Sequence, residues 1–536
     1  MPTPRQTVRF LFSREDGPTD HLIARWLFLR ALGLIYFSVF FALLFQIRGL
    51  IGTQGVLPAN LYLQRLHQLG AERLWYAPTL LWFSASDHTL MAITWIGLIA
   101  AVLVVLNLIP RPALLLCFVC FLSFIAVSQD FGEYQSDGML LEAGFLALFL
   151  APTGLRPRLG RHCLASRAAI YLLLWEWFRI YFESGLVKLQ SGDPTWRNLT
   201  AMYEYYQNGP LPTWIGWYLQ HLPHWFQRGT AGLTLLMELV VVFLAFVPNR
   251  PGRVNHWRLA TFLIVTAWQI GVIASANYAF LNYLVLILAV LLLNDQTWLR
   301  LLPNPKILSS FRAAGGSAFA PAPPKGFRAH LSAIQLAITT VSLAIIAYVT
   351  TAELVQMLWP SAPLPTSPIL ALEPFRIANS YGLFANMTPH RYEIEFQGSS
   401  DGLAWTPYPF RYKPQDVSAR PRIYAPYQPR FDWNLWFASL GPWQQAPIVP
   451  LTEQRLLEND PAVLTLFAAN PFPSQPPKMI RAVLYQYWFS TPEQKRTQGI
   501  WWTRQLLGTY APTIAHQPDG TYAITAAPTL NGPPAP

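Results

Sequence analysis

The stretch "EWFRIYFESGLVKLQSGDPTWR" (176–197) lies deep inside an apolar run, yet it carries Glu176, Arg179, Glu183 and Lys188. On a helix, Glu176, Arg179 and Glu183 fall at i, i+3 and i+7, within roughly 60° of one another, and form one acid–base–acid stripe. Trp175, Phe178 and Phe182 cover a neighbouring face. An unpaired charge in hydrocarbon costs at least about 2.5–3.5 kcal/mol on insertion scales, so the stripe must face protein or water. Lys188 sits away from the stripe, near the outer end, where it can snorkel to the interface. Glu142 on a short neighbouring run and Glu238 on a later one are further buried acids, and Arg30 lies within snorkelling reach of the inner face. Two arrangements satisfy these residues. One is a paired network that locks helices together. The other is a polar cavity open to the outer side and lined by Asp137, Glu142, Glu176, Arg179, Glu183 and Lys188. "SGDPTWR" then ends the run: Asp193-Pro194 makes a turn, and Trp196 and Arg197 anchor at the interface.

The whole chain fits a membrane setting. Of its 536 residues 53% are hydrophobic and 12% charged, where a soluble globular protein carries about 25% charged residues. The mean hydropathy is +0.27. The 47 prolines crowd the last third, which argues for a polytopic helical part, 1–360, followed by a smaller polar domain, 361–536. The net charge of +11 sits in short loops between apolar runs, a signature of topology and not of a nucleic-acid ligand. Cys117 and Cys120 form C-x-x-C inside "LLLCFVCFLSF", with no polar neighbour to activate a thiolate, and read as small apolar residues of a buried helix. No catalytic residue, metal or cofactor is assigned.

Apolar runs at about 23–47, 90–109, 113–128, 138–151, 168–190, 230–248, 258–275, 278–294 and 331–357 predict about nine spans. "GMLLEAGFLALFLA" is short for a crossing and fits a re-entrant segment or a helix surrounded by protein. Bases collect at Arg5, Arg9 and Arg14, at Arg111, at Arg156, Arg158, Arg161 and Arg167, at Arg250, Arg253 and Arg258, and at Arg300, Lys306, Arg312, Lys325 and Arg328. With nine crossings these loops share one side, which places the N-terminus inside and the C-terminal domain outside. The long loop 48–89 departs from this, since Arg48, Arg65 and Arg73 fall outside, although at that length charge bias constrains less. The stretch 303–328 reads as a low-complexity linker.

In the outer loop 191–229, Trp214, Trp217 and Trp225 suit the membrane interface and predict a surface-lying helix. His221 and His224 have ligand-like spacing, but Pro223 intervenes and no acid or Cys accompanies them, so they read as interfacial. After residue 365, "RYEIEFQGSSDGLAWTPYPFRY" predicts a β-hairpin. "MIRAVLYQYWFS" and "WWTRQLLGTYAPT" predict further strands, and "TEQRLLENDPAVLTLFAAN" a helix pair broken at Pro461. The expected domain is α+β or a β-sandwich. Gly398-Ser399-Ser400-Asp401-Gly402 matches G-x-S-x-G, but Pro407 and Pro409 bar the helix a nucleophile elbow needs, so it reads as a turn. "APYQPRFDWNLWFASLGPW" is dense in aromatics, Trp433 and Trp436 among them, and part of it is expected as an exposed patch for a partner or lipid.

Several stretches in order resemble the lipase maturation factor family: "QIRGLIGTQGVLPA" (46–59), "QSDGMLLEAGFLALFLAP" (135–152), "ESGLVKLQSGDPTWRNLTAMYEYY" (183–206), "PLPTWIGWYLQHLP" (210–223), "NSYGLFANMT" (379–388), "IEFQGSSDGLAWTPYPFRYKPQD" (394–416) and "APYQPRFDWNLWFASL" (425–440). The resemblance implies a membrane-embedded factor that helps an exported client, a lipase among the candidates, to fold and assemble. It implies an external domain in the periplasm if the source is bacterial, or in the endoplasmic reticulum lumen if eukaryotic. The helical part is also faintly similar to the vitamin K-dependent carboxylase superfamily, which implies a multi-span enzyme. The alternatives at this point are therefore a folding factor contacting a client and membrane lipid, a membrane enzyme or lipid-binding protein using Glu142, Arg179, Glu183 and Lys188, and a scaffold. Neither a P-loop nor a Rossmann fingerprint is present.

Overall fold

The computed structural model describes residues 3–13, 18–160, 163–248, 253–301, 327–517, 520–530 and 532–533, with side chains at 4, 5 and 327–332 outside the description. Arg14, Arg161, Arg250, Lys306, Arg312, Lys325 and nearly all of the linker at 303–328 lie outside the described residues, as do the side chains of Arg5 and Arg328.

The helical part is built from α1 (Leu22–Ile51), α2 (Asp87–Val105), α3 (Pro110–Ile125), α4 (Gln135–Leu150), α5 (Arg167–Gln190), α6 (His224–Leu239), α7 (His256–Ser275), α8 (Leu281–Ala289) and α9 (Ala333–Leu358). Starts follow from local chemistry. Ser86 and Ser166 accept the N–H groups of Thr89 and Ala169, and Pro110 opens α3 where its missing N–H leaves no bond unmade. By length and composition, five helices among the described residues can cross a membrane: α1, α2, α6 with its continuation to Phe246, α7 and α9. A sixth counts if Leu281–Leu292 and Asp295–Leu301, bent by 111°, form one span. This is fewer than the nine expected. At 16 residues, α3 and α4 reach only about 24 Å of the ~30 Å of hydrocarbon, and α5 carries Glu176, Arg179, Glu183 and Lys188 among its apolar residues. α5 is central, packing on α4, α6, α8 and α9.

The C-terminal part contains a single six-stranded sheet among the described residues, so the α+β expectation holds and the sandwich does not. β1 (Arg391–Ser399) and β3 (Met479–Phe489) pair antiparallel along their length. β2 (Thr406–Pro407) edges β1. β4 (Trp502–Thr509) and β5 (Thr513–His516) share the other edge of β3, and β6 (Tyr522–Ala526) follows β5. The G-x-S-x-G segment is the hairpin turn between β1 and β2: Asp401 accepts the N–H groups of Leu403 and Ala404 at 2.8 and 2.9 Å. Helices α10 (Arg430–Ala438) and α11 (Ile448–Leu457) pack on β1 and β3.

β1 is buried on both faces. Tyr392, Ile394 and Phe396 join the core with Leu435, Val449 and Phe467. Its polar face is covered too. Arg391 donates to the carbonyls of Gln207 and Pro210, each at 3.0 Å, and pairs with Glu393. Lys413 meets Glu393 at 2.7 Å, and Arg504 meets Glu395 at 3.2 Å. The loop expected to lie on the membrane surface therefore docks on the sheet.

The end of α1 approaches the same domain closely at Gly49, where an added Cβ would lie 2.7 Å from the carbonyl oxygen of Ala462. That backbone atom cannot swing aside. Gly49→Ala is expected to lower the thermal midpoint by an overpacking cost of about 1–3 kcal/mol and to speed proteolysis of the sheet region. Gly229→Ala, where a Cβ meets nothing within 4 Å, should hold or raise the midpoint, since alanine suits a helix better. Equal midpoints for the two variants would refute the close docking.

Candidate functional site

Arg179, Glu142, Glu183 and Lys188 of the helices meet one segment of the C-terminal part, 376–388, which runs across them as a strap. Arg179 pairs with Glu142 and lies 3.8 Å from Glu183. It also donates to the carbonyl of Asn379. The second Glu142 oxygen accepts the Tyr381 hydroxyl at 2.8 Å and the Asn379 N–H at 3.1 Å. Glu183 accepts the Tyr381 N–H at 2.7 Å. One turn further out, Lys188 bonds Glu238 at 2.9 Å and the carbonyl of Leu383 at 3.0 Å, with the Trp196 ring beneath it at 5.1 Å. Asp193 caps the next turn and accepts the Met387 N–H at 2.7 Å.

Asp137 finds its partner farther along the chain. Arg430 holds both of its carboxylate oxygens at 2.7 Å, donates to the Phe131 carbonyl at 2.6 Å, and is flanked by the rings of Phe124 and Tyr134. Such a two-pronged guanidinium–carboxylate contact fixes geometry as well as charge.

These contacts divide the sequence expectation. Asp137, Glu142, Arg179 and Glu183 form paired centres and line neither of the two cavities described below. Glu176 is fully buried, yet neither carboxylate oxygen has a hydrogen-bond partner among the described residues. The expectation that Lys188 snorkels is corrected: the ion pair with Glu238 and the Leu383 carbonyl hold it inside, 2% exposed. Arg30 is likewise buried, bonded to the Val104 carbonyl and to Asn107.

The tryptophans are corrected as well. Trp217 packs with Tyr487, Phe489 and Trp502 of the sheet, and Trp214 is half-buried under Arg420. Only Trp225 of the five is open, at 74%. Trp433 and Trp436 are 7% exposed and face inward. They line a cavity of about 670 Å³ between the helices and the sheet domain, together with Tyr134, Phe384, Asn434 and Phe437. Neither indole N–H has a hydrogen-bond partner among the described residues. The opening is mixed in character: Phe437, 47% exposed, and Leu440, 37% exposed, lie beside exposed Glu133, Gln135, Asn386 and Gln445. Beside it, burial pushes the Asp432 carboxyl up to about 6, against the opposing pull of the Lys413 and Tyr412 N–H groups and the Lys413 charge. A second cavity, about 380 Å³, lies among the helices and includes Lys188 and Glu238 in its wall.

Asn379, Tyr381 and Arg430 were not singled out from sequence as partners of the helix charges. A signal was present: Asp137, Glu142, Glu176, Glu183 and Glu238 on the helices outnumber Arg179 and Lys188, and the buried Arg25 and Arg30 of α1 bond carbonyls and Asn107 instead, so a base from elsewhere is called for. Arg179→Ala is expected to leave Glu142 and Glu183 uncompensated, lowering stability on the order of 3–5 kcal/mol. The readouts are thermal midpoint and yield of monodisperse protein in detergent. Glu176→Leu removes a buried acid without a partner and should hold or raise the midpoint. Wild-type stability in Arg179→Ala would defeat the locking role.

Comparison with known proteins bears on the whole chain. The lipase maturation factor transmembrane domain matches residues 23–300, and the lipase maturation factor C-terminal domain matches residues 377–512. Lipase maturation factor 1 of Bos taurus is 32% identical, covering 92% of this chain and 89% of that protein. Lipase maturation factor 2 of Homo sapiens is 31% identical, covering 92% and 83%. No solved structure matches. With two domains matched in order and identity sustained over nearly the full length, this integral membrane protein belongs to the lipase maturation factor family.

Proposed function

We propose that this chain is a membrane-embedded maturation factor that assists the folding or assembly of an exported client, with a lipase as the client class its family name indicates. The observation that carries the reading is the 670 Å³ cavity, walled by Trp433 and Trp436, with the apolar side chains of Phe437 and Leu440 exposed at its opening among polar neighbours. An exposed apolar surface beside a membrane is a partner surface more than a solvent face. In its wall, the buried indole N–H groups of Trp433 and Trp436 have no acceptor among the described residues. An extended apolar segment of an incompletely folded chain offers what they lack: side chains to fill the cavity and backbone carbonyls to accept. Bound membrane lipid is a further neighbour of the helical part.

The proposed topology has nine crossings, counting α3, α4 and α5 as spans sheltered by protein, with the N-terminus inside and the sheet domain outside. The base-rich loops support it. The external side is the periplasm in a bacterium and the lumen of the endoplasmic reticulum in a eukaryote. In that frame 1–360 forms the helical domain and 361–536 the external one.

Photo-crosslinking residues placed at Phe437 and Leu440 are expected to trap a co-expressed secreted lipase, and Trp436→Ala should cut the active lipase exported several-fold while leaving the factor's own level unchanged. A reporter fused after residue 530 should signal the external compartment. Crosslinks confined to lipid, with lipase export unaltered in Trp436→Ala, would count against the client reading. A cytoplasmic reporter signal would overturn the topology.

A further inference from the structure

The second cavity points to a ligand of its own, independent of the client. Its mouth lies between α6 and α7, framed by Phe226 and Leu233 on one helix and Ala267 and Gly271 on the other. Ala267, Gly271 and Leu233 are exposed on the outer surface of the helical part. Leu233 is nine residues into α6, and Ala267 eight residues from the end of α7, about 12–13 Å below the ends nearest the sheet domain. An opening at that depth faces hydrocarbon, in the half of the bilayer on the sheet side. Small residues at Ala267 and Gly271 leave it unobstructed, and nothing lies within 4 Å of where a Gly271 Cβ would be.

The interior is apolar in the main, walled by Trp268, Val272, Leu281 and Val285, but buried polar atoms of its wall lack partners among the described residues, Gln269 Oε1 and the Tyr278 hydroxyl among them. Gln269 is 4% exposed and lines the cavity. Its amide nitrogen donates to the Tyr181 hydroxyl at 2.8 Å, while its Oε1 has no partner among the described residues. A buried acceptor left unmet in a dry wall is costly, and a ligand donor there relieves that cost. The cavity's cation does not offer the alternative. The three ammonium protons of Lys188 are directed to Glu238, the Leu383 carbonyl and the Ser184 carbonyl. A carboxylate head would therefore find no free cation, whereas a hydroxyl head would find a free acceptor. A volume of about 380 Å³ lies within the usual range for a small-molecule site.

We infer that this cavity binds a neutral single-chain lipid with a hydroxyl head, of the monoacylglycerol or long-chain-alcohol type, entering sideways from the bilayer with its hydroxyl on Gln269 Oε1. The test uses the full chain in nanodiscs and a monoacylglycerol carrying a diazirine in its acyl chain. Labelling is expected to concentrate on 226–238 and 267–285, and unlabelled monoacylglycerol should compete where a free fatty acid of equal length does not. Ala267→Trp, which sits at the exposed mouth and spares the interior, should abolish this labelling. Gln269→Leu should weaken it roughly threefold to tenfold, the range one hydrogen bond supports. Labelling spread evenly over the lipid-facing helices and indifferent to Ala267→Trp would overturn the site. Equal competition by the fatty acid would overturn the assignment of a hydroxyl head.

Discussion

A charge buried in an apolar bundle has to meet its counter-charge there, and the rest of this structure depends on how that demand is satisfied. The helices cannot satisfy it alone. Arg179 and Lys188 serve Glu142, Glu183 and Glu238, which leaves Asp137 and Glu176 without an ion pair from these two bases. Arg430, 293 residues away, supplies one to Asp137. The backbone and side chains of Asn379, Tyr381 and Leu383 complete the other two centres. The C-terminal part is thus the counter-ion and hydrogen-bond complement of the helices. The same logic governs the polar face of β1, where Arg391 reaches back to the loop carbonyls of Gln207 and Pro210.

The strap that completes the charges also shapes the empty space. Leu383 and Phe384 line both cavities, and Tyr205, Tyr278 and Leu281 share that wall. Phe384 packs edge-on against Tyr205 and Tyr278, with centroids 6.0 and 4.9 Å apart. One aromatic partition therefore divides the space among the helices from the space between the helices and the sheet domain. Its position is set by the bonds that Lys188 and Ser184 make to Leu383.

Much of this fold could be read from local pattern. Long apolar runs, Ser and Pro at helix starts, the Ser-Ser-Asp-Gly turn and the alternation of 391–399 each act within a few residues, where sequence and structure are tied closely. The spans of α3 and α4 were less legible, because a 16-residue helix shielded by protein need not match bilayer thickness. The site divided in the same way. Glu142, Arg179 and Glu183 stand out as charges in an apolar run, but whether they face a cavity or each other depends on residues some 200 positions away. Trp433 and Trp436 read as surface for a related reason. Their density of aromatics is visible in the sequence, while the loop and helices that cover them are not. Lys188 looked free to snorkel only because Glu238 lies on another helix, 50 residues on.

The coupling between charges and strap bears on how the outer cavity would recognise a client. Phe384, at its wall, belongs to the segment that Glu142, Glu183, Lys188 and Asp193 hold by hydrogen bonds to charged groups. Such bonds are worth about 1.5–3 kcal/mol each, so displacing the strap would break several at once and expose unpaired charge to an apolar interior. On the client reading, that wall is preorganised: it does not fold around what it binds, and the ordering cost falls on the client. A rigid aromatic recess with an open rim selects segments by shape and apolar character, and releases them once their own fold buries the same side chains more completely. The buried charges would then serve function without touching the client, by keeping the recess rigid.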